Sequence, residues 1–352
     1  MVSVEIGGRR IGPGARCFVI AEGGVNHNGD IKLALGLVEA AAAAGVDAIK
    51  FQTFDPSALA AADAPKAQYQ LERDSSSSQR AMLEKLVLSP DHHRQLKAHA
   101  EARGILFLST PFESKSADFL EELGLPAFKI PSGELTNHPF LAHVARKGRT
   151  MMMSTGMATL DEVKAAVAAV RAARPVPLAL FHCVSSYPAA ASDCNLRAMK
   201  TLRDTIGVPV GWSDHSSGIN LSIAAVAMGA ELIEKHLTLE RSLPGPDHAA
   251  SLEPHEFAAL VSGIREVEAA LGTGEKKPVP AEAAIAAVAR KSLHWAAALT
   301  PGAVVRSEHL SALRPGTGVQ PFQLESLIGR IVARPTVAGR QLTMDDLTAV
   351  GV

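Results

Sequence analysis

Eight times between Cys17 and Lys235 the chain runs through one unit: a short apolar stretch, a polar cluster, then a segment with helical spacing. The apolar stretches are 17–21, 48–51, 106–109, 127–130, 150–154, 178–182, 209–213 and 232–235. Each is too short for a helix and has the length of a strand buried on both faces. Amphipathic segments lie between them at 31–44, 90–103, 116–123, 160–173, 196–205 and 219–228, with a last one at 254–271. Strands alternating with helices in this way predict an α/β fold, a (β/α)8 TIM barrel. One insertion, 55–89 with its serine run at 75–78, breaks the rhythm and is expected as a loop or lid over the barrel mouth.

A barrel of this kind gathers its chemistry at the C-terminal ends of the strands, and polar residues stand there in all eight units. The first strand ends in Glu22, and the second carries Lys50 and Gln52, which alternate to one face. Thr110 and Lys129 follow, the latter with Pro131-Ser-Gly-Glu134; then come Ser154 and the His182-Cys-Val-Ser-Ser-Tyr-Pro188 run. The seventh and eighth strands end in Ser213-Asp-His215 and Glu234-Lys-His236, and a Pro-Gly-Pro loop then carries Asp247 and His248. Consecutive barrel strands are neighbours, so His215 and His236 can share one metal. Two lysines buried on strand ends require an anionic partner. Lys50 and Lys129, with hydroxyls from Thr110, Ser132, Ser154 and Ser213, suit a phosphate and a carboxylate. No P-loop and no G-x-G-x-x-G occurs, so the ligand reads as a small phosphorylated acid rather than a nucleotide. A Schiff-base lysine is the alternative; it predicts a lysine in an apolar pocket without a metal, and the two histidines count against it.

Beyond 272 the composition shifts. Residues 1–272 are assigned to the barrel, 273–285 to a linker with Gly at the helix end and two prolines, and 286–352 to a small β-rich domain. Within that domain Gly302-Ala-Val-Val-Arg-Ser-Glu-His-Leu310 matches Gly339-Arg-Gln-Leu-Thr-Met-Asp-Asp-Leu347, which predicts a short capping turn in each half. A net charge of −1 gives no electrostatic case for nucleic acid or acidic membranes. The three cysteines form no C-x-x-C pair, there is no apolar run of membrane-spanning length, and the first residues do not read as a signal peptide. A cytoplasmic protein is expected. His92-His93 reads as a solvated helix start, Cys183 as a buried core thiol, and Trp295 as the core of the small domain.

In this order, Ala21-Glu-Gly-Gly-Val-Asn-His-Asn-Gly29, Lys50-Phe-Gln-Thr-Phe54, Lys129-Ile-Pro-Ser-Gly-Glu134, Trp212-Ser-Asp-His215, Glu234-Lys-His236 and Gly245-Pro-Asp-His248 resemble the sialic acid synthases. The tail, down to Arg314-Pro-Gly-Thr-Gly318, resembles their antifreeze-like (SAF) domain. The resemblance implies condensation of phosphoenolpyruvate with an N-acylated hexosamine. It implies N-acetylmannosamine as the sugar and N-acetylneuraminate as the product, or 2,4-diacetamido-2,4,6-trideoxymannose and N,N'-diacetyllegionaminate. The Gly-Pro-Asp-His motif argues, by resemblance, against a pseudaminate synthase. The resemblance also implies a divalent metal on His215 and His236, manganese first, with magnesium or cobalt as substitutes. It implies a phosphoenolpyruvate pocket holding both lysines, with Ser185 in the sixth strand's motif, and a domain-swapped homodimer in which Arg314 reaches the partner's site. Two departures stand out: Gly23, where an aliphatic residue or Ala is common, and Ser185, where some neuraminate synthases carry Asn. On this reading Glu134 activates the attacking water, with Glu22 as second choice and an orienting role open to both. Gln52, Tyr187 and Asp247 would hold sugar hydroxyls. A non-catalytic binder of sugar acids is the reading from another class, and the retained histidine pair counts against it.

Overall fold

The computed structural model describes residues 2–71 and 74–348. The chain divides into two compact units, Met1–Gly272 and Thr273–Val352. The first opens with a hairpin, β1 (Val4–Ile6) and β2 (Arg9–Ile11). Eight strands follow: β3 (Phe18–Gly24), β4 (Ala48–Thr53), β5 (Leu106–Pro111), β6 (Ala127–Ile130), β7 (Thr150–Ser154), β8 (Leu178–Cys183), β9 (Val210–Asp214) and β10 (Leu232–His236). They form one parallel sheet in the order β5-β4-β3-β10-β9-β8-β7-β6, whose two edges lie against each other. This is the predicted barrel, nearly closed. A helix follows each strand: 31–43, 90–102, 114–122, 138–146, 160–173, 198–206, 220–227 and 254–271. The helix His138–Arg146 escaped the sequence reading; Asn137 caps it by accepting from the Phe140 N–H.

Strand parity sorts the side chains. Val19 and Ala21, Ile49, Phe107, Phe128, Met151 and Met153, and Ile233 pack outward against the helices. Phe18 and Ile20, Ala48, Leu108, Ala127, Met152, Phe181 and Leu232 point inward and meet Val4, Ile6 and Ile11 of the hairpin. The hairpin therefore plugs the N-terminal end of the barrel with apolar side chains. Its Gly7 and Gly8 both have positive φ, +55° and +79°, the turn conformation that matches strand twist. Gly-Gly between Val-Glu-Ile and Arg-Arg-Ile was the available signal.

Because side chains alternate, the inward row continues upward from those apolar residues into Glu22, Lys50, Lys129, Ser154, Glu234 and His236. The same parity that builds the core aims the polar groups at the mouth. The insertion after β4 is not a plain loop. It holds short helices at Pro56–Leu59, Gln68–Leu71 and Gln79–Glu84. Met82 and Leu86, with Leu59 and Leu83, pack on Val25, Phe54 and Phe112 from the loops after β3, β4 and β5.

In the second unit β11 (Ser292–Trp295) pairs antiparallel with β12 (Leu310–Leu313). The repeat is real in three dimensions. Gly302 and Gly339 both have positive φ, Val305 and Leu342 are both buried, and 3-10 turns at Ser307–His309 and Met344–Asp346 precede the buried Leu310 and Leu347. Trp295 fills this core, as expected. A helix, Glu282–Ala289, precedes β11. No helix among the described residues is long and apolar enough to cross a membrane.

Candidate active site

The C-terminal end of the barrel opens into a cavity of about 460 Å³. On its floor Lys50 Nζ pairs with Glu22 Oε2, donates to Thr110 Oγ1 at 2.9 Å and lies 3.7 Å from Glu234 Oε2. Lys129 Nζ donates to Ser154 Oγ at 2.6 Å and stands 3.5 Å from Glu234 Oε1, which also accepts from Ser213 Oγ at 2.9 Å. Glu234 thus sits between both lysines. The motif Glu234-Lys-His236 alone assigns it no role. The signal was parity: Glu234 lies two residues before His236 on one strand, so both face inward.

Burial opposes every one of these charges. It pushes the Glu22 carboxyl above the usual carboxylate range although Lys50 pulls the other way. Glu234 is also buried, yet Lys129, Lys50 and the Ser213 hydroxyl hold it below that range. Lys50 loses solvation too, but Glu22 and Glu234 raise its ammonium above the ordinary lysine value. Lys129 has weaker compensation, and burial lowers it. The floor thus holds two lysines and two acids, Glu22 against Lys50 and Glu234 between both lysines.

On one wall the His215 and His236 rings stand 5.5 Å apart between centroids. Burial lowers His215 to about 4 and His236 well below the ordinary imidazole value, so both are neutral at pH 7. His215 donates its Nδ1–H to the Val184 carbonyl at 2.7 Å, which leaves a lone pair on Nε2, with Ser213 Oγ 3.5 Å away. Nδ1 of His236 is buried with no hydrogen-bond partner and lies 3.9 Å from Asp247 Oδ2. Burial raises Asp247 to about 6. Two neutral imidazoles with unused lone pairs fit a divalent cation. Among the described residues no group of three or more His, Cys, Asp or Glu is arranged to hold a metal. Any ion there would keep positions open for other ligands.

Most of the predicted site is assembled in this cavity. Glu22, Lys50, Gln52, Thr110, Lys129, Ser132, Ser154, Ser185, Tyr187, Ser213, His215, His236 and Asp247 all line it. The Tyr187 ring lies 4.2 Å from that of His215. Gly156 lacks a side chain for a reason: a Cβ there would stand 2.4 Å from Ser185 Oγ and 2.8 Å from Ser132 Oγ. Glu134 is not among the lining residues, and its Oε2 accepts from Asn137 Nδ2 at 2.6 Å. Arg314 belongs to the second unit, where its Nε donates to Ala289 O at 3.0 Å. The lid borders the cavity through Leu59, Ala67, Gln70, Gln79, Met82, Leu83 and Leu86. Cys183 is buried as expected, but His93 is not solvated. It is 1 % exposed, with Nε2 2.9 Å from Thr53 Oγ1 and Nδ1 3.0 Å from Ser89 O, because the helix presents His93 with Leu96 and Ala100 inward.

A family model, the NeuB family, matches residues 37–276, and a SAF domain model matches 290–348. The chain belongs to the NeuB family. Membership bears out the resemblance to sialic acid synthases and the reading as a transferase-type synthase. Among NeuB relatives, N,N'-diacetyllegionaminic acid synthase of Legionella pneumophila is 46 % identical over 96 % of this chain and 96 % of its own length. The protein of the same name from Campylobacter jejuni is 42 % identical, covering 91 % of this chain and 96 % of its own. The solved N-acetylneuraminic acid synthetase of Leptospira borgpetersenii is 34 % identical, with a TM-score of 0.71, over 80 % of this chain and 94 % of that one.

Proposed function

We propose that the protein condenses phosphoenolpyruvate with an N-acylated mannose-type sugar and water, giving a nine-carbon 2-keto acid and phosphate. The observation that carries this reading is the cavity floor: two buried lysines held by Glu234 beside two neutral imidazoles. Lys50 and Lys129 take the phosphate and carboxylate of phosphoenolpyruvate, and the hydroxyls of Thr110, Ser132, Ser154, Ser185 and Ser213 supply oriented donors. His215 and His236 hold the divalent metal, with manganese the first choice. When bound there, the metal supplies Lewis-acid polarisation of the sugar's aldehyde.

The enol carbon C3 then attacks the aldehyde carbon, a C–C bond forms, and the aldehyde oxygen gains a proton. Positive character at C2 is captured by water, and the tetrahedral adduct expels phosphate with cleavage of the C2–O bond. Glu22 is the carboxylate we assign to that water. It lines the cavity, whereas Glu134 is occupied by Asn137. Gln52, Tyr187 and Asp247 hold the sugar. Relatives at 46 % and 42 % identity named for N,N'-diacetyllegionaminic acid support 2,4-diacetamido-2,4,6-trideoxymannose over N-acetylmannosamine. A cytoplasmic homodimer with Arg314 reaching the partner's cavity completes the reading.

The test is phosphate release from phosphoenolpyruvate with each sugar, before and after chelation. Release that needs both sugar and divalent metal is expected, faster with the diacetamido sugar. With ¹⁸O in the bridging position of phosphoenolpyruvate, the label should appear in phosphate. Phosphate release indifferent to sugar, or full activity in metal-free protein, would contradict the reading.

A further inference from the structure

Asp247 is carried by a loop that crosses the barrel mouth after β10, and that loop is pinned at two points to the loop after β3. On one side Asn26 Nδ2 donates to Ser251 Oγ at 2.8 Å, and Ser251 Oγ donates to the Asp247 carbonyl at 2.7 Å. On the other side His248, with no exposed surface, has Nδ1 2.7 Å from Thr238 Oγ1 and Nε2 3.2 Å from Asn28 Oδ1. The amide oxygen of Asn28 can only accept, so the ring proton sits on Nε2, and the one Thr238 hydroxyl proton is shared between Nδ1 at 2.7 Å and the Glu240 carbonyl at 3.0 Å. Burial lowers His248 to about 4, in accord with this single neutral tautomer. Gly245 completes the fit. Its φ is +141°, and a Cβ would stand 2.8 Å from both Asn28 Oδ1 and His248 Cδ2.

We infer that His248 is a positioning residue for the condensation: it fixes Asp247 at the sugar end of the cavity. His248 itself does not line the cavity, whereas its neighbour Asp247 does. Loss of the clamp therefore acts through Asp247. A shift of about 1 Å in a substrate-holding group can cost about a hundredfold in rate, so the clamp has leverage out of proportion to its two hydrogen bonds. Phosphoenolpyruvate, bound by lysines on the strands themselves, should not feel it.

The inference rests on the proposed condensation, and the experiment separates the two. Phosphate release by the Mn²⁺-loaded protein is followed with phosphoenolpyruvate and, separately, with whichever of the two sugars the wild type turns over. His248→Phe, which keeps a ring but neither hydrogen bond, should raise the KM for sugar about tenfold and leave that for phosphoenolpyruvate within about twofold. Thr238→Val, which also removes the contacts of Oγ1 with the Glu240 carbonyl and N–H, should reproduce part of this split, and Thr238→Ser should restore wild-type values. In an Asp247→Asn background, His248→Phe should add little. If His248→Phe fails to fold, the Thr238 pair carries the test alone. Equal shifts in both KM values, full additivity with Asp247→Asn, or no difference between Thr238→Val and Thr238→Ser would overturn the clamp. A wild type that releases no phosphate with either sugar would overturn the condensation and, with it, the clamp.

Discussion

Asp346 and Glu234 are both carboxylates buried between cations, and they are treated oppositely. Asp346, in the second unit, accepts from Arg334 Nε at 2.7 Å, from Trp295 Nε1 at 3.1 Å and from the Thr343 N–H at 3.0 Å, and pairs with Arg340 at 2.8 Å. Glu234, at the barrel mouth, has one hydrogen bond of comparable length, from Ser213, and its lysines stand back at 3.5 and 3.7 Å. Asp346 is held by three hydrogen bonds and a close ion pair. Glu234 stands between its lysines without a close hydrogen bond to either, Lys50 being paired with Glu22 instead, and both lysines line an open cavity. A buried ion pair with complete hydrogen bonding serves the fold, while one with slack and an adjoining void keeps cations ready for an anion.

The largest effect expected from this contrast is at the mouth. Lys129→Met should reduce phosphate release by about 10²–10³-fold, the scale for losing one preorganised charge partner. Its thermal stability should change little, because Lys50 and the Ser213 hydroxyl still partner the buried Glu234. A stability loss matching the activity loss would erase the contrast. Next, Asp346→Asn should destabilise the second unit by about 1.5–3 kcal/mol, the range for charged hydrogen bonds. Amide hydrogen exchange in residues 292–347 should reveal it.

A smaller effect is pH-dependent. Burial alone would raise the Asp346 carboxyl, but the Thr343 N–H, Arg340, Trp295 and Arg334 hold it well below the usual range. Its contribution is therefore fully present above the unfolded value of about 4 and is lost as pH falls below that. A thermal melt of the second unit should fall between about pH 4 and pH 2, and Asp346→Asn should flatten that slope. The smallest effect concerns Glu134. Glu134→Gln should change turnover less than about threefold, whereas Glu22→Gln should cost at least about 10²-fold; the reverse order would restore Glu134 to the chemistry.

The barrel was legible because strands buried on both faces read as unbroken apolar runs, and all eight appeared within a few residues of their bounds. The hairpin was harder. Three-residue strands carry little pattern, although Gly7-Gly8 marked the turn. The lid's helices hide in a polar stretch because their few apolar residues, such as Met82 and Leu86, bind loops rather than a helix-long seam. Lys50, Lys129, His215 and His236 were visible as costly residues at strand ends. Glu234 escaped because an acid one residue from a lysine reads as surface charge until strand parity separates them. His93 was misjudged from its neighbour His92, since a helix places adjacent residues on different faces.

The central claim is that Lys50 and Lys129 are held by Glu234 for an incoming anion. Calorimetric titration of phosphoenolpyruvate into metal-free, sugar-free protein tests it most directly. The wild type should bind, Lys129→Met should lose binding by at least about tenfold, and Glu234→Gln, which removes the acid that favours both ammonium groups, should also weaken it. Binding unchanged in Lys129→Met, or tightened in Glu234→Gln, would contradict the account.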